Sequence, residues 1–297
     1  MPVASRIAFI RAPQMLISAP MLHSRAQFSS ASRFSMTAPE QPTPAGKVYL
    51  VGGGPGEPDL LTVRAARIIG QADAIVFDYL VGEGVMDLAP PNATKIYVGK
   101  RAGNHTLAQS EINALLVALA KSGQKVVRLK GGDPLIFGRG GEEILELFES
   151  GIEFEVVPGV TAASGVAAFA GIPLTHREIA RTCVFATGHF HDGSCDLDWV
   201  SLARPQQTVV IYMGIAALPI ISQALIAHGL PPETPAAAIR HATLRKQRTI
   251  VGTIASLPDL VAQAQLKPPA LLVIGGVVAL REKLNWFETD SAHDADD

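Results

Sequence analysis

Two kinds of segment alternate along the middle of the chain. Short β-branched runs predict strands, and between them lie longer segments in which apolar residues recur at helical spacing. Before residue 158 the pattern predicts strands at 47–51, 74–77, 95–98, 126–129 and 154–157. Strands that alternate with helices in this way favour an α/β fold with a mostly parallel sheet.

Capping residues and terminating glycines predict the helices of this first half. Asp59 is placed to cap the first helix, which Gly70 ends. A capping-box pattern at 106–109 precedes a second helix that runs to about Ser122. A third helix is predicted at 142–150, before Gly151.

A second set of elements follows the sequence Pro-Gly-Val-Thr at 158–161. Its pattern predicts strands at 183–186, 209–213, 236–240, 249–251 and 271–274, and helices at 162–170 and 218–227. The two halves show no internal repeat. We therefore expect two α/β domains with mostly parallel sheets, an N-terminal one over 47–158 and a C-terminal one over 159–287.

Both ends of the chain differ in composition from these halves. Residues 1–39 contain four arginines, many serines and no acidic residue, which is typical of an organellar transit peptide. An unstructured extension, or a true start at Met36, is the alternative, so 1–46 is predicted to be a disordered or targeting-like extension. The acidic stretch 288–297 is predicted to be a disordered tail. We expect a cytoplasmic location, or an organellar matrix if 1–45 is a true transit peptide.

Charge and cysteine content exclude several classes of protein. The net charge of −2 provides no broad basic surface for nucleic acid, and no apolar run is long enough to span a membrane. Two cysteines in 297 residues do not form a disulfide framework. His189, His191 and Cys195 have a spacing that suggests a metal, yet a fourth ligand at a standard spacing is missing, so we expect no metal.

The densest group of candidate functional residues follows the strand at 126–129. The sequence VVRLKGGDPLIFGRGGEE places two glycine groups around Asp133 and Arg139 before a helix begins. Glycine-rich loops at the carboxyl ends of strands are common ligand sites in α/β sheets. Asp78 and Lys100 also follow predicted strands, so we expect them in the same cleft as Asp133. There they can act as base and acid, or form an ordinary surface ion pair.

The first glycine group, at 52–56, leaves a second hypothesis open. Gly52 and Gly54 match the beginning of a dinucleotide-binding loop, and Asp78 lies where the acidic residue of that motif is expected. Glu57 occupies the place of the last glycine, however, and Pro55 lacks a backbone N–H for a pyrophosphate. A nicotinamide-dependent oxidoreductase is thus one alternative, and a non-catalytic cofactor-binding module is another.

Taken together, the motifs resemble those of the uroporphyrinogen-III C-methyltransferases, within the tetrapyrrole methyltransferase superfamily. The resemblance covers about 47–287. It rests on VGGGPG from Val51, VGKRAG from Val98, the segment 126–143, VPGVTAASG from Val157, GIPLTHR from Gly171 and VVALREKLNWF from Val277. Glu57 departs from the Asp that the family often has, but keeps its charge.

This resemblance implies S-adenosylmethionine in a cleft between two α/β domains, a fold that differs from the Rossmann methyltransferases, and a homodimer. It implies that Asp78 is the proton acceptor and Lys100 the proton donor. S-adenosylhomocysteine would be the product of the cofactor. The family's cofactor contacts correspond to Pro55, Gly131, Gly132, Asp133, Ile136, Thr161, Ala162, Met213 and, with a looser match, Ala242.

The implied activity is methylation of uroporphyrinogen III at C2 and C7 to give precorrin-2, the first step of the sirohaem and cobalamin branch. Because arginine suits bidentate carboxylate binding, we expect Arg101, Arg128 and Arg139 to hold the carboxylates of this substrate. The expected partner is therefore a small tetrapyrrole, and neither nucleic acid nor a membrane. Another methyltransferase of the superfamily, of the corrin-ring or diphthine type, is the nearest alternative.

Overall fold

Two five-stranded sheets organise the chain. The structure is a computed structural model, and it describes residues 45–99, 107–188 and 196–287. The predicted strands are all confirmed, with ends that differ by at most two residues. The first sheet contains β1 (Lys47–Gly52), β2 (Ala74–Phe77), β3 (Thr94–Tyr97), β4 (Val126–Lys130) and β5 (Glu153–Val157). The second contains β6 (Thr182–Thr187), β7 (Gln207–Tyr212), β8 (Pro235–Arg240), β9 (Arg248–Thr253) and β10 (Ala270–Ile274).

Helices connect most of these strands. The predicted helices are confirmed, whereas three others, all seven residues long or shorter, were not predicted from the sequence. The helices are α1 (Val63–Ile69), α2 (Gln109–Lys121), α3 (Gly140–Glu149), α4 (Ala162–Phe169), α5 (Trp199–Leu202), α6 (Leu218–Ala227), α7 (Leu257–Gln263) and α8 (Arg281–Leu284). Of these, α5, α7 and α8 are the unpredicted ones.

Every strand pair of the first sheet is parallel, in the order β3-β2-β4-β1-β5. One face packs against α2 and α3 through residues such as Leu50 and Leu116, and the other packs against α1 through Ile69 and Leu129. Strands that are buried on both faces are apolar along their whole length, which explains the continuous apolar runs in the sequence. The carboxyl ends of the central strands β1 and β4 therefore lie side by side, as ligand sites of α/β sheets require.

The second sheet is mixed, so the expectation of mostly parallel strands holds only for the first sheet. Its order is β6-β7-β10-β8-β9, and the β6–β7 pair alone is parallel among the described residues. The connection between β8 and β9, residues 241–247, is too short for the crossover that parallel neighbours need. The α/β class itself is confirmed.

Two helix starts differ from the sequence prediction. Thr62 caps α1, because its Oγ1 accepts a hydrogen bond from the backbone N–H of Ala65 at 3.1 Å. Asp59 instead lies in a short 3₁₀ turn, Pro58–Leu60, so its predicted capping role is wrong. At α2 the Glu111 carboxylate accepts from the Ala108 N–H at 2.6 Å, while Thr106 lies outside the described residues.

The described residues from Ala45 onward belong to one compact unit. Their division into two domains near residue 158 stays a prediction, although the strands of the two sheets fall on either side of it. The predicted extension and tail lie outside the described residues, apart from residues 45 and 46. In the part of the chain that the structure describes, no helix is long and apolar enough to cross a membrane.

Candidate functional site

Three glycine-bearing loops meet at the carboxyl ends of β1, β4 and β5. Gly54 and Gly132 exchange two backbone hydrogen bonds, with N···O distances of 3.2 and 2.6 Å, and both have positive φ, at 73° and 66°. A Cβ on Gly52 would lie 2.6 Å from the carbonyl oxygen of Gly132 and 2.5 Å from the nitrogen of Gly159. These backbones can approach so closely only because the residues are glycines. The result is a junction lined largely by main chain.

The Asp133 carboxylate fixes the shape of this junction. Its Oδ1 accepts from the N–H of Leu135 at 2.9 Å, and its Oδ2 accepts from the N–H of Gly159 at 3.1 Å. Both oxygens therefore already hold backbone groups of two different loops. Any contact of this carboxylate with a ligand would use lone pairs that these bonds leave open.

Tyr212, the last residue of β7, anchors the start of α4. Its hydroxyl oxygen lies 2.6 Å from Thr161 Oγ1 and accepts from the N–H of Ala163 at 3.1 Å. Burial raises the pKa of the Tyr212 phenol, which the two hydrogen bonds only partly oppose. The ring of Phe137 lies against that of Tyr212, with 4.8 Å between centroids. Tyr212 was not predicted from the sequence; its position at a strand end beside Met213 was the available signal.

The turn between β8 and β9 brings the second sheet to the loop after β1. Thr243 is 1% exposed and has a φ of 75°, and its Oγ1 accepts from the N–H of Glu57 at 3.1 Å. A Cβ on Gly165 of α4 would lie 2.6 Å from Pro55, so this helix also contacts that loop. Left-handed backbone in bulky residues tends to gather at functional sites. Here such residues near the junction are Phe137, Arg139, Met213, His241 and Thr243.

The residues predicted to contact the cofactor lie in the loops that follow strands, or at the first residue of the helix after such a loop. Pro55 follows β1, Thr161 lies between β5 and α4, and Ala162 is the first residue of α4. Met213 follows β7 and is half exposed, and Ala242 follows β8. The remaining ones follow β4: Gly131, Gly132, Asp133 and Ile136. Their grouping agrees with a common site, and their individual contacts stay a prediction.

Asp78 lies beside this junction, at the end of β2. Its Oδ1 accepts from the N–H of Leu80 at 3.1 Å, and its Oδ2 lies 3.4 Å from NH2 of Arg128. A Cβ on Gly131 would meet Leu80 at 2.6 Å, so the Asp78 loop and the glycine loop after β4 are in contact. The Asp78 side chain is 21% exposed. Lys100, its predicted partner, lies outside the described residues, as does Arg101.

The two described arginines that were predicted to bind substrate differ in exposure. The Arg139 side chain is 57% exposed, and its Nε and NH2 donate to the two oxygens of Glu142 at 2.8 and 2.6 Å. The Arg128 side chain is 3% exposed, and its Nε donates to Oε1 of the buried Glu143 at 3.0 Å. Only Arg139 therefore presents its guanidinium to solvent.

Lys130 joins the same buried pair, with its Nζ 3.0 Å from Glu143 Oε1. Burial lowers the pKa of Lys130, the charge of Arg128 adds to this, and Glu143 opposes it. Glu143 was not predicted from the sequence to take part in the site. Its signal was weak: in the pair Glu142-Glu143 at the start of α3, helical geometry turns one carboxylate toward the sheet.

Within 45–99, 107–188 and 196–287, no group of three or more His, Cys, Asp or Glu side chains is placed to hold a metal ion. His189, His191 and Cys195 lie outside the described residues. The predicted absence of a metal is thus neither supported nor opposed at those positions.

The sequence is similar to proteins of known function over most of its length. The family model described as Tetrapyrrole (Corrin/Porphyrin) Methylases matches residues 47–258. Siroheme synthase from Methylobacillus flagellatus is 59% identical over 242 residues, which cover 82% of this chain and 52% of that protein. The chain thus spans about half the length of the curated relatives it matches.

Solved structures share the fold. Uroporphyrin III C-methyl transferase from Thermus thermophilus is 39% identical to this chain and superposes on it with a TM-score of 0.68. The structural alignment covers 79% of this chain and 94% of that one. A second structure of the Thermus protein, also at a TM-score of 0.68, is complexed with S-adenyl homocysteine. Cobalt precorrin-4 methyltransferase, at 25% identity, has a TM-score of 0.70 over 78% of this chain and 95% of that one. With its match to the family model and this shared fold, the chain belongs to the tetrapyrrole (corrin/porphyrin) methylases.

Proposed function

We propose that this chain methylates uroporphyrinogen III at C2 and C7 with S-adenosylmethionine to give precorrin-2. The observation that carries the proposal is the glycine-lined junction around Gly54 and Gly132, which has Asp78 beside it. The Thermus transferase, which aligns over 94% of its length, supports the choice of substrate.

The residues of the junction fit S-adenosylmethionine. A Cβ on Gly132 would lie 3.5 Å from the nitrogen of Ala162, in space that the glycine leaves beside the start of α4. Ile136, Ala162 and Ala242 pack against one apolar cluster and provide apolar surface next to this main-chain lining. Ligand sites commonly combine such apolar walls with a few backbone polar groups. When bound, S-adenosylmethionine supplies an activated methyl group.

The chain's own residues then have to position the substrate and manage one proton. Holding the reacting carbon in line with the methyl group can supply most of the rate enhancement. Methylation of a pyrrole carbon leaves a cationic ring that must lose a proton, and we assign Asp78 to accept or steer that proton. Lys100 would hold the substrate or return a proton. The partial exposure of Asp78 gives its carboxylate access to a ligand in the cleft.

Substrate carboxylates need cationic partners. Arg139 has the more exposed guanidinium of the two described candidates, and it lies in the loop that leads into α3. Its hydrogen bonds lower the pKa of Glu142, so the pair is ionised at neutral pH and a substrate carboxylate would compete with Glu142 for Arg139. Arg101 completes the proposed set of direct contacts, whereas the buried Arg128, predicted from the sequence to be one of them, would act on the substrate only through its bond to Asp78.

We also propose that two copies of the chain associate. Trp286 is 62% exposed although its indole N–H donates to Ala168 at 2.8 Å and its ring packs on Phe169. An exposed aromatic residue that its own chain only partly covers suits a subunit interface.

The direct test is a methyl-transfer assay. The purified chain, uroporphyrinogen III and S-adenosylmethionine should give a product whose mass has gained two methyl groups, and the chain should bind S-adenosylhomocysteine but not NADH. Binding of S-adenosylhomocysteine without methyl transfer to uroporphyrinogen III would indicate another substrate of the superfamily, such as a corrin. Binding of NADH instead would indicate the oxidoreductase alternative.

A further inference from the structure

A largely buried set of polar side chains, here called the Glu143 network, connects α3 to Asp78. Glu143 on α3 is 0% exposed, so its carboxylate is removed from solvent. Two acids and two bases in this set balance their charges. The members of the network are Glu143, Arg128, Lys130, Gln109 and Asp78.

A single oxygen of Glu143 accepts all of its hydrogen bonds. Its Oε1 accepts from Arg128 Nε and from Lys130 Nζ, both at 3.0 Å. The same atom accepts from Gln109 Nε2 of α2 at 3.1 Å. Oε2 has no hydrogen-bond partner among the residues that the structure describes. The carboxylate thus directs Oε1 at the two cations of β4.

Arg128 transmits this constraint to Asp78. Its NH2 atom lies 3.4 Å from Asp78 Oδ2, and its NH1 donates to the carbonyl of Leu129 at 3.1 Å. The guanidinium is a rigid plane, so fixing Nε also fixes the direction of the NH2 group. Glu143 therefore sets the angle at which an N–H meets the Asp78 carboxylate.

Stability alone is a weak explanation for such a network. Taking charges out of water costs several kcal/mol per ion, and apolar side chains of similar volume often stabilise a fold at least as well. The network ends, moreover, at the one carboxylate of the set that is partly exposed. This arrangement serves the orientation of Asp78 better than it serves the core.

We infer that Glu143 is a positioning residue that acts on methyl transfer through Arg128 and Asp78. The inference rests on the proposed function, in which Asp78 accepts or steers a proton. Without the charge of Glu143, the guanidinium of Arg128 keeps its NH1 bonds to the carbonyls of Leu129 and Val76 but is held less firmly at Nε. Its plane can then tilt toward Asp78, which would move that carboxylate away from the ring it serves.

The first test replaces Glu143 by glutamine, which keeps the shape and removes the charge. We expect Glu143→Gln to lower the single-turnover methyl-transfer rate by about 10- to 100-fold, as small misplacements of reacting groups do. The KM for uroporphyrinogen III and the affinity for S-adenosylhomocysteine should change by less than about threefold, because the network acts on the transition state. Glu146→Gln, an exposed carboxylate on the same helix, is the matched control and should keep the wild-type rate.

The second test separates positioning from a general structural role. If Glu143 acts through Asp78, adding Glu143→Gln to Asp78→Asn should slow the reaction by less than about threefold beyond Asp78→Asn alone. Losses that multiply would overturn the inference, and so would a folded Glu143→Gln with a normal rate. A near-normal rate in Asp78→Asn would overturn the role of Asp78 together with that of Glu143. A wild-type chain without turnover would overturn the proposed function and this inference with it.

A charge-balanced variant keeps the test decisive if Glu143→Gln alone does not fold. Glu143→Gln combined with Lys130→Met removes one acid and one base, so no unpaired cation is added to the core. We expect this variant to fold and still to transfer methyl groups about 10- to 100-fold more slowly than Lys130→Met alone. Equal rates for the two would overturn the inference.

Discussion

The Oδ2 atom of Asp133 accepts a hydrogen bond from the backbone N–H of Gly159, at 3.1 Å. This bond joins the loop after β4 to the loop after β5, which leads into Thr161 and α4. Because the other oxygen of the same carboxylate holds Leu135, one side chain sets the spacing of two loops that we propose to hold the cofactor.

The first prediction concerns this side chain. Asp133→Ala should lower the affinity for S-adenosylhomocysteine by at least about tenfold, because it releases the exposed Leu135 N–H and leaves the part-buried Gly159 N–H without its acceptor, at a cost of about 1–3 kcal/mol. Titration calorimetry measures the affinity, and thermal unfolding reports whether the fold persists. Asp87→Ala, which removes an exposed acid, is the control. Unchanged affinity in folded Asp133→Ala would remove Asp133 from the site.

The second prediction separates the roles of Asp78 and Lys100. Asp78→Asn keeps the shape of the side chain but accepts no proton, so the single-turnover rate should fall by about 10²–10⁴-fold while cofactor affinity is retained. Lys100→Ala should weaken substrate binding if its role is electrostatic, and lower turnover if it donates a proton. A loss below about tenfold in Asp78→Asn, roughly 1.4 kcal/mol of barrier, would mean that the ring loses its proton without help.

The third prediction tests the anchor of α4. Tyr212→Phe should lower the free energy of unfolding by about 1–3 kcal/mol, since the buried N–H of Ala163 loses its acceptor. Thr161→Val removes only the shared hydroxyl contact and should cost less. The loss of unfolding free energy in the double variant should differ from the sum of the two single losses by about 0.5 kcal/mol or more, because the two hydroxyls bond each other. Denaturant unfolding of the three variants checks this, and strict additivity would contradict it.

The fourth prediction follows from the lowered pKa of Lys130. Below its folded pKa the buried ammonium is charged, and its destabilisation is fully present. As the pH rises through that pKa toward the ordinary value of 10.5, the folded state releases the proton first, so the free energy of unfolding gains a positive slope. The charged groups that face Lys130 are Arg128, whose charge lowers the pKa of Lys130, and Glu143 and Asp78, whose charges raise it.

Unfolding experiments at several alkaline pH values measure this slope. The stability of the wild type relative to Lys130→Met should increase with pH, by at most about 1.4 kcal/mol per pH unit for a single proton. Lys121→Met, which replaces an exposed lysine on α2, is the control. A relative stability that falls with pH would contradict the lowered pKa.

The fifth prediction concerns assembly. Light scattering at micromolar concentration should give the mass of a dimer, and Trp286→Ala should shift the population toward the monomer because it removes exposed aromatic surface. Trp199→Ala, in the partly buried α5, is a control for a general loss of stability. A monomeric wild type would rule out the proposed association.

The sequence by itself determined the strands and most helices, and it predicted the place of the proposed site. Strand positions were predictable because strands buried on both faces are continuous apolar runs. Gly123 and Gly151 end α2 and α3 through local backbone geometry, since both have positive φ. The loops at 52–56 and 131–134 were identifiable because the close approach of Gly54 and Gly132 needs glycine in both. These are all properties that a short stretch of chain carries within itself.

Only the tertiary structure decided what each side chain does there. Nothing local shows that Asp133 holds Gly159, that Tyr212 holds α4, or that Arg128 turns inward to Glu143. The antiparallel pairs of the second sheet depend likewise on which strands become neighbours. Such partners are set by how the helices pack on the sheets, and that packing depends on contacts between residues far apart in the chain. For this reason the sequence predicted where the chemistry lies, and the fold decided which groups orient it.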